Sequence, residues 1–304
     1  MAPPRAVIDA VQDRLGPLVA PPVALGGGIT NHNFRATFGD HDVVIRVAGA
    51  ETELLGIDRA AEHVATAAAA KLDVAPAVLA FLPQHSCLVT RFVPGTPVPD
   101  GQLRDPPVLP AVAKALRAFH EHAPALPTSF DVPQVARDYL ALARDRGIAP
   151  TPGAWDAARL ADTIAAALAG HPEHAVVPCH DDLLNANILG DGSHVWLVDW
   201  EYAGMGDRYF DLGNLSINNG FTEQDDRALL SAYWSEECPP RRFAALRLMR
   251  IMSDFREGMW GVVQRGISEL DFDFAAYAEK HLVRLRASTS DPRFEGWLRD
   301  AATP

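Results

Sequence analysis

The chain has 304 residues, 48% of them hydrophobic and 22% charged, and its formal net charge is −12 at pH 7. This length is typical of two lobes rather than one simple core, and the negative charge disfavours nucleic acid as a partner while it is compatible with a cationic substrate. No apolar run approaches the roughly 20 residues that span a bilayer, and the first residues lack a signal-peptide pattern, so we expect a cytoplasmic protein without membrane insertion. Cys87, Cys179 and Cys238 are far apart, which supports neither a disulfide framework nor a zinc site.

The N-terminal third of the chain predicts a small lobe that mixes helix and strand. Apolar residues at helical spacing predict a helix over 5–15, and a glycine-rich turn over 26–33 leads into a strand. The β-branched run 43–47 predicts a strand that holds one embedded cation, Arg46. The further elements predicted here are a helix over 58–71 and strands over 77–81 and 87–93.

Pro94 and Gly95 break the chain, and the sequence after them is mainly helical in pattern. We therefore expect two lobes, 1–94 and 95–304, and an α+β fold class. A compact β-rich passage over 176–200, with short strands predicted over 176–179 and 195–199, lies between the helices of the second lobe. The helices predicted there lie around 108–119, 160–168, 241–264 and 272–285.

The β-rich passage contains the pattern that points to chemistry. His180, Asp182 and Asn187 form a His-x-Asp-x-x-x-x-Asn motif, and Asp199 follows at the end of an apolar strand. Phosphoryl transfer needs one carboxylate that accepts the proton of the attacking hydroxyl, and a carboxylate with an amide oxygen that hold magnesium against the phosphates. The pattern thus predicts Asp182 as the catalytic base and Asn187 and Asp199 as magnesium ligands. His180 is expected to brace the loop through hydrogen bonds.

The chain resembles the choline/ethanolamine kinase family within the aminoglycoside phosphotransferase-like kinases. The similarity is carried by the motif at 180–187, by 198–214 with its Val-Asp-Trp-Glu-Tyr and Phe-Asp-Leu-Gly-Asn sequences, and by 259–264. Further matching segments are 27–31, 53–62, 271–274 and 277–278. The resemblance implies a bilobal protein-kinase-like fold, with a small β-rich nucleotide-binding lobe and a larger, mainly helical lobe for catalysis and substrate. It also implies ATP and Mg²⁺ in the cleft, and a phosphoryl transfer to the hydroxyl of choline or ethanolamine.

The same resemblance assigns nucleotide-binding roles in the N-terminal lobe. Arg46 matches the strand cation that contacts the phosphates, and Glu62 matches the helix carboxylate that pairs with this cation. The loop that includes Asn31 would cover the phosphates with backbone N–H groups. The segment around Phe92 would offer backbone hydrogen bonds to adenine.

Two further carboxylates follow the metal-binding aspartate in the matching segment. Glu201 is expected to support a second magnesium ion or the substrate. Asp211 resembles the carboxylate that steadies the catalytic loop of the family, so its expected role is structural.

The expected substrate pocket is built from the C-terminal helices. Trp260 and Tyr277 match or lie near aromatic residues that surround the amine in this family, and aromatic faces attract cations. The alternative for Trp260 is a core position in its helix. Glu257 stands where eukaryotic choline kinases carry another tryptophan, which would suit a primary amine or a larger polyamine. The alternative is that Glu257 is a solvated residue on the outer face.

Two other functions remain open at the level of sequence. One is a kinase for an aminoglycoside, thiamine or another hydroxylated cation, and the other is a non-catalytic nucleotide-binding module. The complete set of Asp182, Asn187 and Asp199 argues against the module. The expected partner is therefore a small amine-containing alcohol, and a homodimer is left open.

Overall fold

The structure, a computed structural model, describes residues 2–26, 31–49, 52–99, 101–149, 153–268 and 272–303. The strands are β1 (Val23–Leu25), β2 (Asn31–Phe38), β3 (His41–Ala48), β4 (Val78–Leu82), β5 (Cys87–Arg91), β6 (Thr96–Pro97), β7 (Val176–Cys179), β8 (Ile188–Gly190), β9 (Val195–Leu197) and β10 (Gly204–Asp207). The helices are α1 (Arg5–Leu15), α2 (Arg59–Lys71), α3 (Val108–His122), α4 (Val132–Asp145), α5 (Ala154–Leu168), α6 (Arg208–Asn218), α7 (Glu223–Trp234), α8 (Pro240–Ile267), α9 (Phe274–Thr289) and α10 (Phe294–Ala301). The predicted α+β class is confirmed.

The first five strands form one antiparallel sheet in the order β1-β2-β3-β5-β4. Alternate residues of β2 and β3 point to a buried face, since strand side chains alternate between the two sides of a sheet. Helix α1 adds Val7 and Val11 to this small core, as residues four apart share one face of a helix. Arg46 pairs with Leu88 in β5 and lies on the opposite face from its buried neighbour Ile45.

Helix α2 begins at a side-chain cap. Asp58 accepts hydrogen bonds from the N–H groups of Ala60, at 2.8 Å, and Ala61, at 3.1 Å. Glu62 lies in the first turn, where a carboxylate is favoured by the helix dipole, and its side chain is only 3% exposed. The cap thus fixes the start of the helix so that Glu62 faces the sheet.

The C-terminal part packs around α8, which has 28 residues and contacts α4, α6, α9 and α10. Helix α6 approaches α8 so closely that a Cβ on Gly213 would lie 2.8 Å from the backbone of Met249 and Arg250. Two small antiparallel sheets, β6-β8-β9 and β7-β10, flank the segment 180–187. In the described ranges, no helix is both long and apolar enough to cross a membrane.

The element predictions hold with shifts of a few residues at most ends, but eight elements were absent from them. The helices α4, α6, α7 and α10 and the strands β1, β6, β8 and β10 are observed without having been predicted. In β10, Gly204 and Gly206 pass within about 3.1 Å of the backbone near Phe130, measured from the Cβ that a larger residue would carry there. These glycines permit a close chain approach that a short sequence window does not reveal.

Candidate active site

The segment 180–187 is held by two side chains of helix α6. Asp211 accepts hydrogen bonds from the backbone N–H groups of His180 and Asp181, each at 2.8 Å. Asn214 accepts one from the N–H of Leu183 at 2.6 Å. Burial acts to raise the pKa of Asp211, but its hydrogen bonds and nearby imidazoles hold that pKa below the usual value. Three backbone groups of the loop are therefore fixed by one helix.

His180 connects this loop to the strand that precedes Asp199. Its Nε2 donates to the carbonyl oxygen of Val198 at 3.0 Å, and its Nδ1 accepts from the N–H of Asp182 at 3.2 Å. The ring is fully buried and lies 4.4 Å from the Trp200 ring, and this burial lowers the pKa of His180. The imidazole is thus neutral, with its proton on Nε2, and it contacts two backbone groups.

Asp182 and Asn187 lie side by side and are both buried. Nδ2 of Asn187 donates to the Asp182 carbonyl oxygen at 2.9 Å and to its Oδ2 at 3.2 Å. Since Nδ2 faces Asp182, the amide oxygen Oδ1 is the atom of Asn187 that can serve a metal. Burial raises the pKa of Asp182 to about 8, although the charge of Arg256 works in the opposite direction.

Asp199 follows β9 with a backbone φ of +68°, and Asp181 has a φ of +67°. Aspartate enters this left-handed region more readily than most residues, and such backbone conformations concentrate at functional sites. The backbone N–H of Val198 donates to the carbonyl oxygen of Asn187 at 2.9 Å. The Asp199 side chain is therefore brought beside the loop that carries Asn187.

Arg46 joins the two parts of the molecule at this point. Its guanidinium lies 3.2 Å from a Glu62 oxygen and 3.1 Å from Glu201, and it also donates to Asp199. Burial raises the pKa of Asp199 to about 6, while Arg46 opposes this shift. The sequence prediction that Arg46 and Glu62 face one another agrees with this geometry.

Two more side chains contact Glu201. Arg59 donates to Glu62 at 2.7 Å and to Glu201 at 3.0 Å, and Asn31 donates to Glu201 at 2.8 Å. The three carboxylates Glu62, Asp199 and Glu201 thus face two guanidinium groups. We did not predict Arg59 as a site residue, although its position three residues before Glu62 on one helix is the signal that would have suggested it.

A cavity of about 350 Å³ lies next to this group of charges. Its walls include Val44 and Leu88 from the sheet and Leu189 from β8, and Arg46, Asn187 and Asp199 also line it. Phe92 borders the cavity as well, but its N–H donates to the carbonyl oxygen of Asp42 at 2.9 Å. Phe92 can therefore offer a ligand its carbonyl oxygen but not this N–H.

A second cavity, of about 490 Å³, has Glu201 in its wall. Phe130, Tyr139 and Tyr202 form aromatic parts of its wall, and Glu53 contributes another carboxylate. Tyr139 donates to the carbonyl oxygen of Leu55 at 2.9 Å, which ties α4 to the segment before α2. This space combines aromatic and acidic surface beside Glu201.

The predicted substrate residues lie together along α8 and α9. Trp260 donates to the hydroxyl of Tyr202 at 2.9 Å, and its ring centre is 5.5 Å from that of Tyr277. Tyr277 donates to Glu257 at 2.7 Å, and Arg256 donates to the same carboxylate at 2.8 Å. Glu257 is 2% exposed, so the alternative of a solvated outer-face position is wrong. Arg256 and its contact with Asp182 were not predicted.

His120 is a further unpredicted contact of the loop. Its Nε2 lies 2.9 Å from Asp211 and its Nδ1 lies 2.7 Å from the Tyr233 hydroxyl. A histidine on an apolar helix carries no distinguishing local signal, so only the fold reveals this role. The residues 27–30 of the predicted phosphate loop, and residue 271 of the resemblance, lie outside the described residues.

Residues 23–249 match the model of the phosphotransferase enzyme family. The chain belongs to this family. A choline/ethanolamine kinase family protein from Mesorhizobium loti is 31% identical with a TM-score of 0.83, covering 97% of this chain and 98% of that one. The predicted resemblance to the choline/ethanolamine kinase family is therefore confirmed.

Two other relatives support the same placement of this phosphotransferase. Ethanolamine kinase 2 from Rattus norvegicus is 28% identical over 282 residues, which cover 83% of this chain and 71% of that protein. Choline kinase LicA from Streptococcus pneumoniae has a TM-score of 0.76 at 20% identity, covering 93% of this chain and 98% of that one. The second comparison concerns the fold, and it agrees with the expected protein-kinase-like architecture. The chain is a kinase-type enzyme acting on small molecules.

Proposed function

We propose that this kinase transfers the γ-phosphoryl group of ATP to the hydroxyl of a small amine-containing alcohol, with Mg²⁺ as cofactor. The observation that carries the proposal is the convergence of Asp182, Asn187 and Asp199 beside the cavity that also exposes Arg46. Carboxylate, amide and guanidinium groups in this combination match the needs of phosphoryl transfer. The family relationship independently supports this reaction class.

Asp182 is the proposed catalytic base. Its carboxylate accepts the proton of the attacking hydroxyl, and its raised pKa suits this task because a base with a pKa near the working pH accepts a proton readily. Asn187 orients the carboxylate through Nδ2, and the neutral His180 holds the backbone of Asp182. His180 is accordingly a positioning residue of the catalytic loop.

The residues present fit a magnesium site. Asn187 offers its amide oxygen and Asp199 its carboxylate, and Glu201 is a third oxygen donor nearby; Mg²⁺ prefers such hard oxygen ligands. When bound, the ion neutralises charge that develops on the transferred phosphoryl group. Asp199 forms an ion pair with Arg46 in the structure. When nucleotide binds, phosphate oxygens take the place of this carboxylate as partners of Arg46.

The N-terminal residues are proposed to hold the nucleotide. Arg46 has the fork-shaped guanidinium that grips phosphate oxygens, and Glu62 keeps it aimed into the cleft. Asn31 lies at the start of β2, next to Glu201, where a phosphate-covering loop would end. Phe92 lines the cavity in which we place the adenine. We further propose that the lobe boundary lies between residues 94 and 95.

For the acceptor, we propose an amino alcohol of the choline or ethanolamine type. The names of the relatives support this class, as do the aromatic groups of Trp260 and Tyr277 with the carboxylate of Glu257. Another hydroxylated cation, such as thiamine or an aminoglycoside, is the alternative that the same site would serve. Asp211 is proposed as a structural residue. A cytoplasmic location and a homodimer stay predictions from the sequence.

The test is a screen for ATP-dependent product formation over choline, ethanolamine, their methylated intermediates, thiamine and aminoglycosides. Mass spectrometry identifies the phosphorylated compound, and Asp182→Asn serves as the inactive control. We expect one amine-containing alcohol to be used far better than the rest. ATP hydrolysis without any phosphorylated acceptor would contradict the proposal.

A further inference from the structure

Arg256 is a buried cation beside the proposed catalytic base. The residue is 1% exposed, and its Nη1 lies 3.4 Å from Oδ1 of Asp182. Burial acts to lower the pKa of Arg256, but the charges of Glu257 and Asp182 outweigh this effect and hold that pKa well above its usual value. Helix α8 therefore places a permanent positive charge against the side chain that we propose as the base.

The guanidinium of Arg256 is itself fixed by its neighbours. Its Nη1 donates to Oε1 of Glu257 at 2.8 Å, and Oε2 of Glu257 accepts from the hydroxyl of Tyr277 at 2.7 Å. The guanidinium carbon lies 4.3 Å from the ring centre of Tyr202, whose hydroxyl accepts from Trp260 at 2.9 Å. Side chains of α8, of α9 and of the segment after β9 thus hold this cation in one position.

The two oxygens of Asp182 have different partners. Oδ2 accepts from Nδ2 of Asn187 at 3.2 Å, whereas Oδ1 faces Nη1 of Arg256. The last torsion of an aspartate side chain has a broad distribution, so a contact to one oxygen leaves the plane of the carboxylate poorly defined. Contacts to both oxygens define this plane. Asn187 alone therefore does not account for the orientation of the Asp182 carboxylate.

We propose that Arg256 is a positioning residue that fixes the orientation of the Asp182 carboxylate towards the attacking hydroxyl. This role rests on the proposed function, in which Asp182 accepts the proton of that hydroxyl. Arg256 acts through Asp182 and not on a ligand, since it borders neither of the two cavities as far as the described residues go. At 3.4 Å the contact is longer than a strong hydrogen bond, so the charge of the guanidinium makes the main contribution.

Steady-state kinetics with MgATP test this role, with ethanolamine and choline as acceptors. Arg256→Met should lower kcat at least about tenfold, because a misplacement near 1 Å can cost about 100-fold, while KM for MgATP stays within about twofold. Arg256→Lys should recover part of kcat. Nη1 alone makes the contacts to Glu257 and Asp182, so the single ammonium group of a lysine can serve both carboxylates. Wild-type kcat in a folded Arg256→Met enzyme would overturn the inference.

A double-mutant cycle distinguishes positioning from a general structural role. In the Asp182→Asn background, Arg256→Met should change kcat by less than about threefold, since the carboxylate that it orients is already absent. A further tenfold loss in that background would show that Arg256 acts elsewhere, and would overturn the inference. The matched control is Arg250→Met, which removes a largely buried arginine of α8 whose Nη1 donates to Ser216 and Asp226. Its kcat should stay within about threefold of the wild type whatever happens to stability.

Crystal structures of the wild type and of Arg256→Met separate this inference from the proposed function, because they require no turnover. We expect a single orientation of the Asp182 carboxylate in the wild type, and a rotated carboxylate or two orientations in the variant. This result supports the inference even where no acceptor is phosphorylated. An unchanged carboxylate overturns it, also where the kinase is active on amino alcohols. Should Arg256→Met fail to fold, Arg256→Gln, which keeps an N–H donor without the charge, takes its place in all three measurements.

Discussion

Asp211→Asn tests whether the catalytic loop depends on one buried carboxylate. In the wild type, Oδ2 accepts from the N–H of His180 at 2.8 Å and lies 2.9 Å from His120 Nε2, while Oδ1 accepts from the N–H of Asp181 at 2.8 Å. An asparagine keeps the shape but turns one acceptor into a donor. Whichever way the amide faces, at least one buried N–H loses its acceptor and meets another donor.

The cost follows from these contacts. An unsatisfied buried donor costs about 1–3 kcal/mol, and hydrogen bonds to a charged group are worth about 1.5–3 kcal/mol each. We therefore expect Asp211→Asn to lower the free energy of unfolding by roughly 2–5 kcal/mol. Because the loop carries Asp182, a displacement of its backbone should also lower kcat at least ~10-fold, as misplacement near 1 Å can cost 100-fold.

The assay combines denaturant unfolding with steady-state kinetics at a temperature where the variant is folded. Asp226→Asn is the matched control, since Asp226 is equally buried and pairs with Arg247 and Arg250 away from the loop. It should lose comparable stability while kcat stays within about threefold. A folded Asp211→Asn enzyme with wild-type kcat would refute the reasoning.

The same variant has a pH signature. The pKa of Asp211 is lowered in the folded protein, because its hydrogen bonds and the neighbouring imidazoles outweigh the effect of burial. A carboxylate with a lowered folded pKa contributes stability above its unfolded pKa and loses it as the pH falls. The stability difference between the wild type and Asp211→Asn should thus shrink towards low pH.

Three further predictions concern the reacting groups. Asp182→Asn should lower kcat at least ~100-fold with little change in ATP affinity, and near-normal turnover would remove Asp182 from the mechanism. Asp199→Ala should weaken the binding of MgATP in a titration against the wild type, and equal affinity with equal turnover would mean that the metal is held elsewhere. Because burial raises the pKa of Asp182 to about 8 and the base must be ionised, kcat/KM should rise with pH up to about 8 and then level off; a profile that is flat from pH 6 to 9 would contradict this assignment.

The sequence predicted the elements with strong local patterns and missed those that depend on distant partners. Helix α1 and strand β7 were predicted to the residue because apolar spacing and β-branched runs are local signals. Strand β10 was not predicted, because its glycines have low strand propensity and the strand forms by pairing with β7. Helix α4 was detectable, since Asp131 caps it and apolar residues recur at helical spacing behind Pro133.

The site residues also fall into those with a local sequence signal and those that depend on distant contacts. Asp182 and Asn187 lie in one contiguous motif, so their types and spacing were enough to propose roles for them. Arg256 could not be assigned, because a guanidinium in a helix is usually solvated and only the packing of α8 buries it beside Asp182. His120 was missed for the same reason, since its contact to Asp211 crosses 91 positions of sequence.

The contact at Gly213 joins the helix that steadies the catalytic loop to the long helix α8. Helix α6 carries Asp211, which steadies the catalytic loop, and α8 carries Arg256 and Trp260, whose side chains contact Asp182 and Tyr202. Only a hydrogen atom of Gly213 separates the backbones of α6 and α8. A movement of one helix along its axis would therefore displace the other. A new acceptor must therefore be accommodated by exchanging side chains on α8 rather than by moving the helix. Such exchanges would change selectivity while the catalytic loop keeps its position.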